Sequence, residues 1–301
     1  MKSKLNVIVM ESKFFLLIIG LLLFVGCKDD DNNNEPTQRY RGLTEILATD
    51  QFGVAFRNND IALGLEVQRI MDEMIEDGTA EAISRKWFDE NILLKNQPFL
   101  KESTAPAGDN SLQNIKNKGE IIFGALIDPP LFIMQKGTFS GFDAEIAQEV
   151  AKRMGINIVF KPIISWDDKT ILLNNGEIDC IWGGYSITPS RLDSVFIAKG
   201  YSNNRVCVLV NGNSQIEKIS QLEGKNVGLL VGSSHIDDLQ SHSVYPKIKN
   251  TILANSTEEL FMLLDAGAID AFVIDEIVAL FFRKQFGMNN NGKVIAPIKL
   301  P

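Results

Sequence analysis

The residues of this chain that could do chemistry are mainly carboxylates and hydroxyls at the ends of apolar stretches. Asp275 ends the stretch AIDAFVID, where a carboxylate is costly unless it is paired. Ser233 lies in VGSSHIDDL at the predicted start of a helix, where unpaired backbone N–H groups attract anions. Ser233 also fits a plain helix cap, and the two roles are compatible. Both positions favour a charged partner.

Catalytic and metal-binding patterns are not apparent in the sequence. There are two histidines, His235 and His242, and three cysteines, which leaves little for a zinc or haem site. No Ser-His-Asp or Cys-His arrangement is visible. Cys180 and Cys207 lie in apolar runs, where burial as thiols and a disulfide between them are both open. The sequence therefore predicts no cofactor and no metal.

The composition is that of an acidic globular protein. The chain has 301 residues, of which 45% are hydrophobic and 23% charged, and its formal net charge is −8. This length allows one large domain or two modest ones. An acidic chain without a basic run argues against nucleic acid as a partner.

The N-terminus has the pattern of an export signal. In MESKFFLLIIGLLLFVGC a lysine precedes a short apolar run and small residues before Cys27. The run is short for a membrane-spanning helix, which is the alternative interpretation. The pattern resembles a bacterial lipoprotein signal over residues 1–26, with a lipid on the Cys27 thiol; Phe24 departs from the usual leucine. The polar stretch KDDDNNNEPTQ then predicts a tether over 27–43.

Strand and helix patterns alternate from about residue 119 onward. EIIFGAL, INIVFKPI, EIDCIWGG, RVCVLV, NVGLLVG and AIDAFVID read as strands, and amphipathic segments such as GFDAEIAQEVAKRMG read as helices. Alternation of this kind predicts an α/β fold with mainly parallel strands. Strands that are apolar without alternation fit sheets covered on both faces.

Five phrases resemble the bacterial extracellular solute-binding proteins of family 3, which receive polar amino acids for import. They are TFSGFDAEIAQEVAKRMG, ISWDDKTILLNNGEIDCIWGGYSITPSRLDSVF, LEGKNVGLLVGSSHIDDL, STEELFMLLDAGAIDAFVIDEIVAL and MDEMIEDGTAEAISRKWF. The resemblance covers about residues 45–301. It implies the type II periplasmic-binding-protein fold, in which two α/β lobes enclose a ligand cleft.

The order of the phrases differs from that of the family. FGVAFRNND, a helix and DGTAEAISRKWF normally close the chain, but here they come first. The resemblance therefore implies a circular permutant in which QPFLKESTAPAGDN joins the former ends; the alternative is a separate helical domain before a truncated binding protein. The predicted domains are lobe 1 over 44–201, with the permuted segment 44–97 and linker 98–110, and lobe 2 over 202–301. One crossing between lobes is expected, near 201–205.

The resemblance also implies residues for the two charged ends of an amino acid. Arg191 in SITPSR matches the family's carboxylate-binding arginine, whose guanidinium can bind both oxygens at once; a surface arginine is the alternative. Asp275 matches the aspartate that receives the α-ammonium. On the side of the ligand carboxylate, the resemblance implies that Ser186 supplies a hydroxyl and that Gly184 supplies backbone groups. Ser233, at the start of a helix, is expected on the same side.

The side chain of the ligand is expected to meet Trp166 and Asp128. Trp166 in ISWDD matches an aromatic residue that stacks on the ligand, although a core tryptophan is the alternative. The family commonly has an aromatic residue after the first strand, where GALIDPPLF has Asp128. Asp128 fits selection of a cationic or hydroxylated side chain, or a turn cap, so the bound amino acid stays open.

The predicted function is capture of a free amino acid outside the cytoplasm, in the periplasm or at the cell surface. A lipid on Cys27 holds the protein to the membrane, and the closed form meets the permease of an ABC importer. The protein is expected to be a monomer without enzymatic activity. The alternatives are a cyclohexadienyl-dehydratase-like enzyme on the same fold, with Glu276 or Asp128 as its acid or base, and a ligand sensor without transport.

Overall fold

The computed structural model describes residues 39–285, with side chains described as far as Phe282. The strands are β1 (Tyr40–Gly53), β2 (Glu120–Leu126), β3 (Ile133–Gln135), β4 (Thr138–Ser140), β5 (Asn157–Ile163), β6 (Cys180–Ile181), β7 (Gly200–Asn211), β8 (Asn226–Leu230), β9 (Asn250–Ala254) and β10 (Ala271–Asp275). The helices are α1 (Ile61–Glu76), α2 (Thr79–Phe88), α3 (Ser111–Lys118), α4 (Phe142–Met154), α5 (Lys169–Asn174), α6 (Pro189–Ser194), α7 (His235–Ser241), α8 (Thr257–Asp265) and α9 (Glu276–Gln285). The predicted signal peptide and Cys27 lie outside the described residues.

Lobe 1 is built on a three-stranded sheet in the order β5-β2-β6. Its strands are parallel: Glu120 lies opposite Asn157, and Leu126 lies opposite Ile163. The helix α4 connects β2 to β5 after the short β3–β4 hairpin, and it ends at Gly155 with φ 71°. Such βα crossovers are the connections that parallel strands require.

Lobe 2 is built on a five-stranded sheet in the order β1-β7-β10-β8-β9. The strands β10, β8 and β9 are parallel, whereas β7 runs antiparallel to both of its neighbours. The buried faces of these strands carry Val, Leu and Ala side chains, including Val208, Val227 and Val273. The apolar runs in the sequence therefore correspond to strands covered on both faces.

Two long strands, β1 and β7, connect the lobes side by side. Their register runs from Tyr40 opposite Asn211, in lobe 2, to Gly53 opposite Gly200, at lobe 1. The expectation of one crossing is therefore wrong. The stretch before FGVAFR, assigned in part to a tether, is a strand, so residues 40–43 belong to the fold. The front segment of the described chain begins in lobe 2 and enters lobe 1 at about residue 53.

The helices α1 and α2, from the front of the chain, pack on lobe 1. Gly64 of α1 lies against Phe196, and a Cβ at Gly64 would lie only 2.7 Å from that ring. Just before α1, the Ala55 N–H donates to the Ile181 carbonyl at 3.0 Å. The front segment thereby extends the sheet of lobe 1 beyond β6.

The end of the predicted linker 98–110 caps α1. Asp109 Oδ2 accepts the Ala62 N–H at 2.6 Å, and Ser111 Oγ accepts the Leu63 N–H at 3.1 Å. The residue at the usual cap position, Asp60, makes no side-chain cap bond. The first turn of α1 is therefore completed by residues almost fifty positions later in the chain.

Smaller differences from the sequence prediction lie in lobe 1. The stretch TPSR begins the helix α6, since Thr188 caps it and Pro189 occupies its first position. The predicted strand EIDCIWGG is reduced to Cys180 and Ile181 because it bends into a glycine loop. Cys180 and Cys207 are buried free thiols. Within residues 39–285 no helix combines the length and apolarity needed to span a membrane.

Candidate functional site

All seven predicted ligand-binding residues lie on one cavity between the lobes. Its walls are formed by Leu126, Asp128, Trp166, Gly183, Gly184, Ser186 and Arg191 of lobe 1 and by Leu230, Ser233, Ser234, His235 and Asp275 of lobe 2. The cavity has a volume of about 20 Å³, enough for about one water molecule. Ligand pockets usually enclose ~300–1,000 Å³. The lobes are therefore closed on each other, and a ligand can enter only when they separate.

The cavity lies at the carboxyl ends of parallel strands. Leu126 ends β2, Gly183 follows β6, Ser233 follows β8 and Asp275 ends β10. The loops after parallel strands leave the sheet at the same edge, which is where open α/β sheets bind ligands. Two such edges face each other here, one from each lobe.

Arg191 is held across the cleft by the first turn of α6. Its Nη1 donates to the Ser186 carbonyl at 2.8 Å, and its Nη2 donates to the Gly232 carbonyl of lobe 2 at 3.3 Å. The guanidinium carbon lies 4.5 Å from the Tyr185 ring centroid. Burial lowers the pKa of Arg191, but a guanidinium starts so high that the group stays charged. It is a preoriented cation at the cavity wall.

The glycine loop after β6 brings backbone groups to the cavity. Gly184 has φ +65°, and a Cβ there would lie 2.8 Å from the Leu131 side chain. Its N–H donates to Asp143 Oδ2 at 3.0 Å, and the Tyr201 hydroxyl donates to the same carboxylate at 2.9 Å. Burial raises the pKa of Asp143 to about 7, against these hydrogen bonds. The sequence analysis did not identify Asp143, which fixes this loop.

Asp275 is held by neighbours on two elements of lobe 2. Asn204 Nδ2 donates to Asp275 Oδ1 at 2.5 Å, and His235 Nε2 lies 3.0 Å from the same oxygen. Asp50 of β1 lies opposite Asn204 in the strand register. Burial, followed by the charge of Asp275, raises the pKa of Asp50 to about 6, while the Ser186 and Asn204 side chains act in the other direction. The site thus concentrates negative charge opposite Arg191.

Trp166 and Lys169 lie where the two lobes touch. Trp166 is buried, and the edge of its ring lies against Tyr185 with centroids 6.2 Å apart. Lys169 Nζ donates to the Trp166 carbonyl at 2.8 Å and to the Gly232 carbonyl at 2.9 Å. Burial lowers the pKa of Lys169 to about 8. The Gly232 carbonyl therefore receives two cationic donors from the opposite lobe.

Ser233 and Asp128 complete the wall. The Ser233 hydroxyl donates to the Leu230 carbonyl at 2.8 Å, so it does not serve as the cap of α7. The turn at Asp128 is closed by backbone hydrogen bonds with Leu131 and Phe132. Asp128 Oδ1 is enclosed and makes no hydrogen bond within the part of the chain that the structure describes. Burial raises the pKa of this carboxyl to about 8, although Thr257 lowers it.

Two other carboxylates near Asp275 have structural partners. Asp270 Oδ2 accepts the Asn226 N–H at 2.8 Å, which ties β10 to β8. Glu276 forms an ion pair with Arg205 at 3.5 Å and does not line the cavity. Within residues 39–285, no group of His, Cys, Asp and Glu side chains could hold a metal ion.

A family model for the bacterial extracellular solute-binding proteins, family 3, matches residues 121–285. The chain belongs to this family. The resemblance to this family is thereby confirmed, while the motif at residues 71–88 lies outside the matched range.

Individual similar proteins have related folds and sequences. The glutamine-binding protein of Geobacillus stearothermophilus is 31% identical over 203 residues, covering 65% of this chain and 76% of that protein. A substrate-binding protein of an ABC uptake transporter from Streptococcus pneumoniae, solved with bound histidine, has a TM-score of 0.57 and 28% identity, covering 60% and 76% of the two chains. The two-lobed type II fold is confirmed.

An enzyme is also among the similar proteins. The membrane-bound lytic murein transglycosylase F of Aeromonas hydrophila is 27% identical over 190 residues, which span 62% of this chain but 38% of the enzyme. The match therefore covers a minority of the enzyme. The match to the glutamine-binding protein, by contrast, covers 76% of that protein.

Three polar residues of the site, His235, Asn204 and Asp50, were missed in the sequence analysis. His235 follows two serines at the start of α7, so it was readable as part of the same loop as Ser233. Asn204 and Asp50 lie on the two crossing strands, whose pairing is not visible in the sequence. Their proximity to Asp275 follows from tertiary structure alone.

Proposed function

We propose that this solute-binding protein captures a free amino acid in the cleft and delivers it to an ABC importer. The observation that carries the proposal is that Arg191 of lobe 1 and Asp275 of lobe 2 line the same closed cavity. An amino acid has a carboxylate and an ammonium on one carbon, and it requires such a pair. The glutamine-binding and histidine-bound relatives support this assignment.

Arg191 receives the ligand carboxylate and Asp275 the α-ammonium. The guanidinium binds both carboxylate oxygens while the Ser186 hydroxyl, the Gly184 backbone and the helix start at Ser233 surround them. Each charge-assisted hydrogen bond contributes ~1.5–3 kcal/mol. Because the two charged ends bind opposite lobes, the ligand favours the closed form by its differential affinity. Trp166 packs on the side chain.

A thermal-shift screen tests the proposal. The protein without its leader, residues 28–301, is screened against the twenty common L-amino acids. At ~100 times its dissociation constant a ligand stabilises the protein by roughly 2.7 kcal/mol. The response is expected to vanish in Arg191→Ala and to persist in Arg85→Ala, an exposed arginine of α2. No stabilisation by any amino acid would contradict the proposal and direct attention to the dehydratase-like alternative.

We further propose that a lipid on Cys27 holds the protein outside the cytoplasm and that it works as a monomer. The apolar run and the cysteine support lipidation, and Arg191 and Asp275, the proposed partners of both charged ends of the ligand, belong to the same chain, so the site needs no second copy. Cys27→Ala is expected to release the protein from membranes into the soluble fraction. Membrane fractionation of cells that express the native gene measures this. Retention of the variant on membranes would contradict lipid anchoring at this position.

We also propose that the chain is a circular permutant of the family. Sequential matches leave about a quarter of the similar binding proteins uncovered, while residues 40–88 supply a crossing strand and two helices of lobe 1. A reordered gene beginning at residue 98, with residues 40–97 joined after residue 301, is expected to fold and bind the same ligand. Failure of the reordered chain to fold, with a native-order control folding normally, would favour a separate front segment.

A further inference from the structure

His235 contacts Asp275, the residue proposed to receive the ligand ammonium. The imidazole begins α7, is only 5% exposed and lies on the cavity wall. Its Nε2 is 3.0 Å from Asp275 Oδ1, the same oxygen that accepts the Asn204 amide at 2.5 Å. An ionised carboxylate only accepts hydrogen bonds, so Nε2 carries the hydrogen.

The other ring nitrogen decides the cost of charging His235. Nδ1 is enclosed and makes no hydrogen bond to any described residue. In the neutral ring Nδ1 is a lone pair, whereas in the charged ring it is an N–H donor. A buried donor without an acceptor is unfavourable. The charged ring is therefore tolerated only while nearby carboxylates compensate for it.

Charged groups near His235 lie on several elements around the cavity. Asp275 lies on β10, Asp50 on β1 and Asp128 after β2; Asp237 and Asp238 lie on α7 itself; Arg191 lies on α6 across the cavity. Burial lowers the pKa of His235, but Asp275, Asp238 and Asp50 together outweigh it, so the net shift is upward. Positive charge on the ring thus depends chiefly on Asp275.

We propose that His235 is a positioning residue whose positive charge competes with the ligand ammonium for Asp275, so that amino-acid binding expels the Nδ1 proton from His235. The proposal rests on the proposed function, because it requires an ammonium at Asp275. An arriving ammonium takes over the negative charge that compensates the imidazolium, and the neutral ring keeps its Nε2–H on Asp275. Affinity for the ligand then falls on acidification and rises as pH increases.

Nuclear magnetic resonance of the two histidines tests the proposal. The ring Cε1–H signals of ¹³C-labelled protein are followed from pH 5 to 9, with and without an unlabelled equimolar mixture of the twenty L-amino acids. The mixture is expected to lower the His235 midpoint by about one unit or more, which corresponds to about a tenfold change in affinity. His242 lies outside the cavity, and its signal is the internal reference.

Two negative outcomes are distinguishable in the same samples. If the mixture also fails to stabilise the protein against heat, the proposed function is wrong and the inference falls with it. If the mixture stabilises the protein but leaves the His235 midpoint unchanged or raises it, only the role of His235 is overturned.

Two variants separate His235 from other titrating groups. Asp50 and Asp128 also favour proton release when a cation binds, because burial raises the pKa of each. In His235→Gln the amide replaces the Nε2 donor without a charge, and the pH dependence of affinity is expected to be shallower than in the native protein. His242→Gln is expected to leave it unchanged. Identical profiles in His235→Gln and the native protein would contradict the inference.

Discussion

Arg191 illustrates at the scale of one residue why charge alone does not make an amino-acid site. Its two terminal nitrogens already have acceptors: one donates to the Ser186 carbonyl of the same lobe, and the other donates across the cleft to the Gly232 carbonyl. The side chain is thus held in position before a carboxylate arrives. A lysine would keep the charge, but it lacks the planar fork.

Arg191→Lys is therefore expected to weaken amino-acid binding about 10- to 100-fold, the equivalent of one charge-assisted hydrogen bond of ~1.5–3 kcal/mol. Calorimetric titration with the amino acid found in the screen measures the change. Arg85→Lys on α2 is the matched control, since its guanidinium is paired with Glu81 at the surface. Equal affinities for the native protein and Arg191→Lys would show that the fork is not used.

Asp128 predicts a pH effect on stability. Burial raises its pKa to about 8, so the folded state favours the neutral acid and the unfolded state the carboxylate. The stabilisation that comes from burying the neutral carboxyl is complete below the unfolded pKa of 3.8, and it is lost as pH rises toward the folded pKa of about 8. Asp128→Asn is therefore expected to be more stable than the native protein at pH 8, by ~1–3 kcal/mol, the usual scale for a buried unsatisfied polar group.

Urea denaturation at pH 4 and pH 8 measures this difference, which should be small at pH 4 because Asp128 is then largely neutral in the folded state and partly neutral when unfolded. Asp193→Asn, at an exposed position of α6, serves as the control and is expected to show no such difference between the two pH values. A native protein that is as stable as Asp128→Asn at pH 8 would indicate that the carboxyl is well solvated.

At the scale of elements, the cap of α1 shows that the segment 98–110 is part of the fold. Asp109 accepts backbone N–H groups at the start of α1 and α3. Burial acts to raise the pKa of Asp109, but the hydrogen bonds with Ser111, Ala62 and Ile61 outweigh it, so the net effect is a lowered pKa. Its contribution is present above the unfolded pKa and is lost as pH falls through the folded pKa.

Asp109→Ala is expected to destabilise the protein by ~1 kcal/mol at pH 7, the usual value of a helix cap, and by less at pH 3. Urea denaturation followed by circular dichroism measures the free energy of unfolding at both pH values. Asp193→Ala is the control at an exposed position. A loss of stability that is equal at pH 3 and pH 7 would contradict a role for the ionised carboxylate.

Gly232 lies in the loop after β8, where lobe 2 makes close contact with lobe 1. A Cβ at Gly232 would lie 2.6 Å from the Asp167 backbone nitrogen of the opposite lobe, and φ is +68°. Gly224 has φ +72° with no atom within 4 Å of the added carbon. The two glycines share the conformational cost of an alanine, but only Gly232 meets the other lobe.

Gly232→Ala is expected to reduce ligand affinity at least tenfold and to enlarge the radius of gyration of the ligand-saturated protein, because it obstructs closure. Gly224→Ala should lose a comparable ~1 kcal/mol of stability and keep its affinity. Calorimetry and small-angle scattering on both variants measure these effects. Equal affinities for the two variants would mean that the ligand-bound lobes do not approach as closely as in this structure.

At the scale of the whole molecule, local patterns predicted most of the architecture. The apolar strands and amphipathic helices are local features, and the α/β class follows from their alternation. The seven predicted site residues lie on one cavity because the family's motifs place them at strand ends. The roles of Asp143 and Asn204, by contrast, depend on partners 41 and 71 positions away in the chain. No spacing rule could bring these pairs together.

The second crossing was missed for a related reason. The stretch LTEILATDQ has few uninterrupted apolar residues, because β1 is an edge strand with one exposed side. Such strands carry polar residues and resemble linkers in sequence. Their identity as strands becomes evident only from the partner strand, which here is β7.

The path of β1 has a consequence for how the molecule is oriented. The described chain starts in lobe 2, where Arg39 and Tyr40 are both bound to Asp265. Arg39 lies 12 residues after Cys27 in the sequence, and a tether of this length spans at most ~40 Å when fully extended. With the proposed lipid at Cys27, lobe 2 is the lobe that the tether joins to the bilayer. Lobe 1 is then connected to the membrane only through lobe 2, and closure of the cleft on a ligand brings lobe 1 toward the tethered lobe.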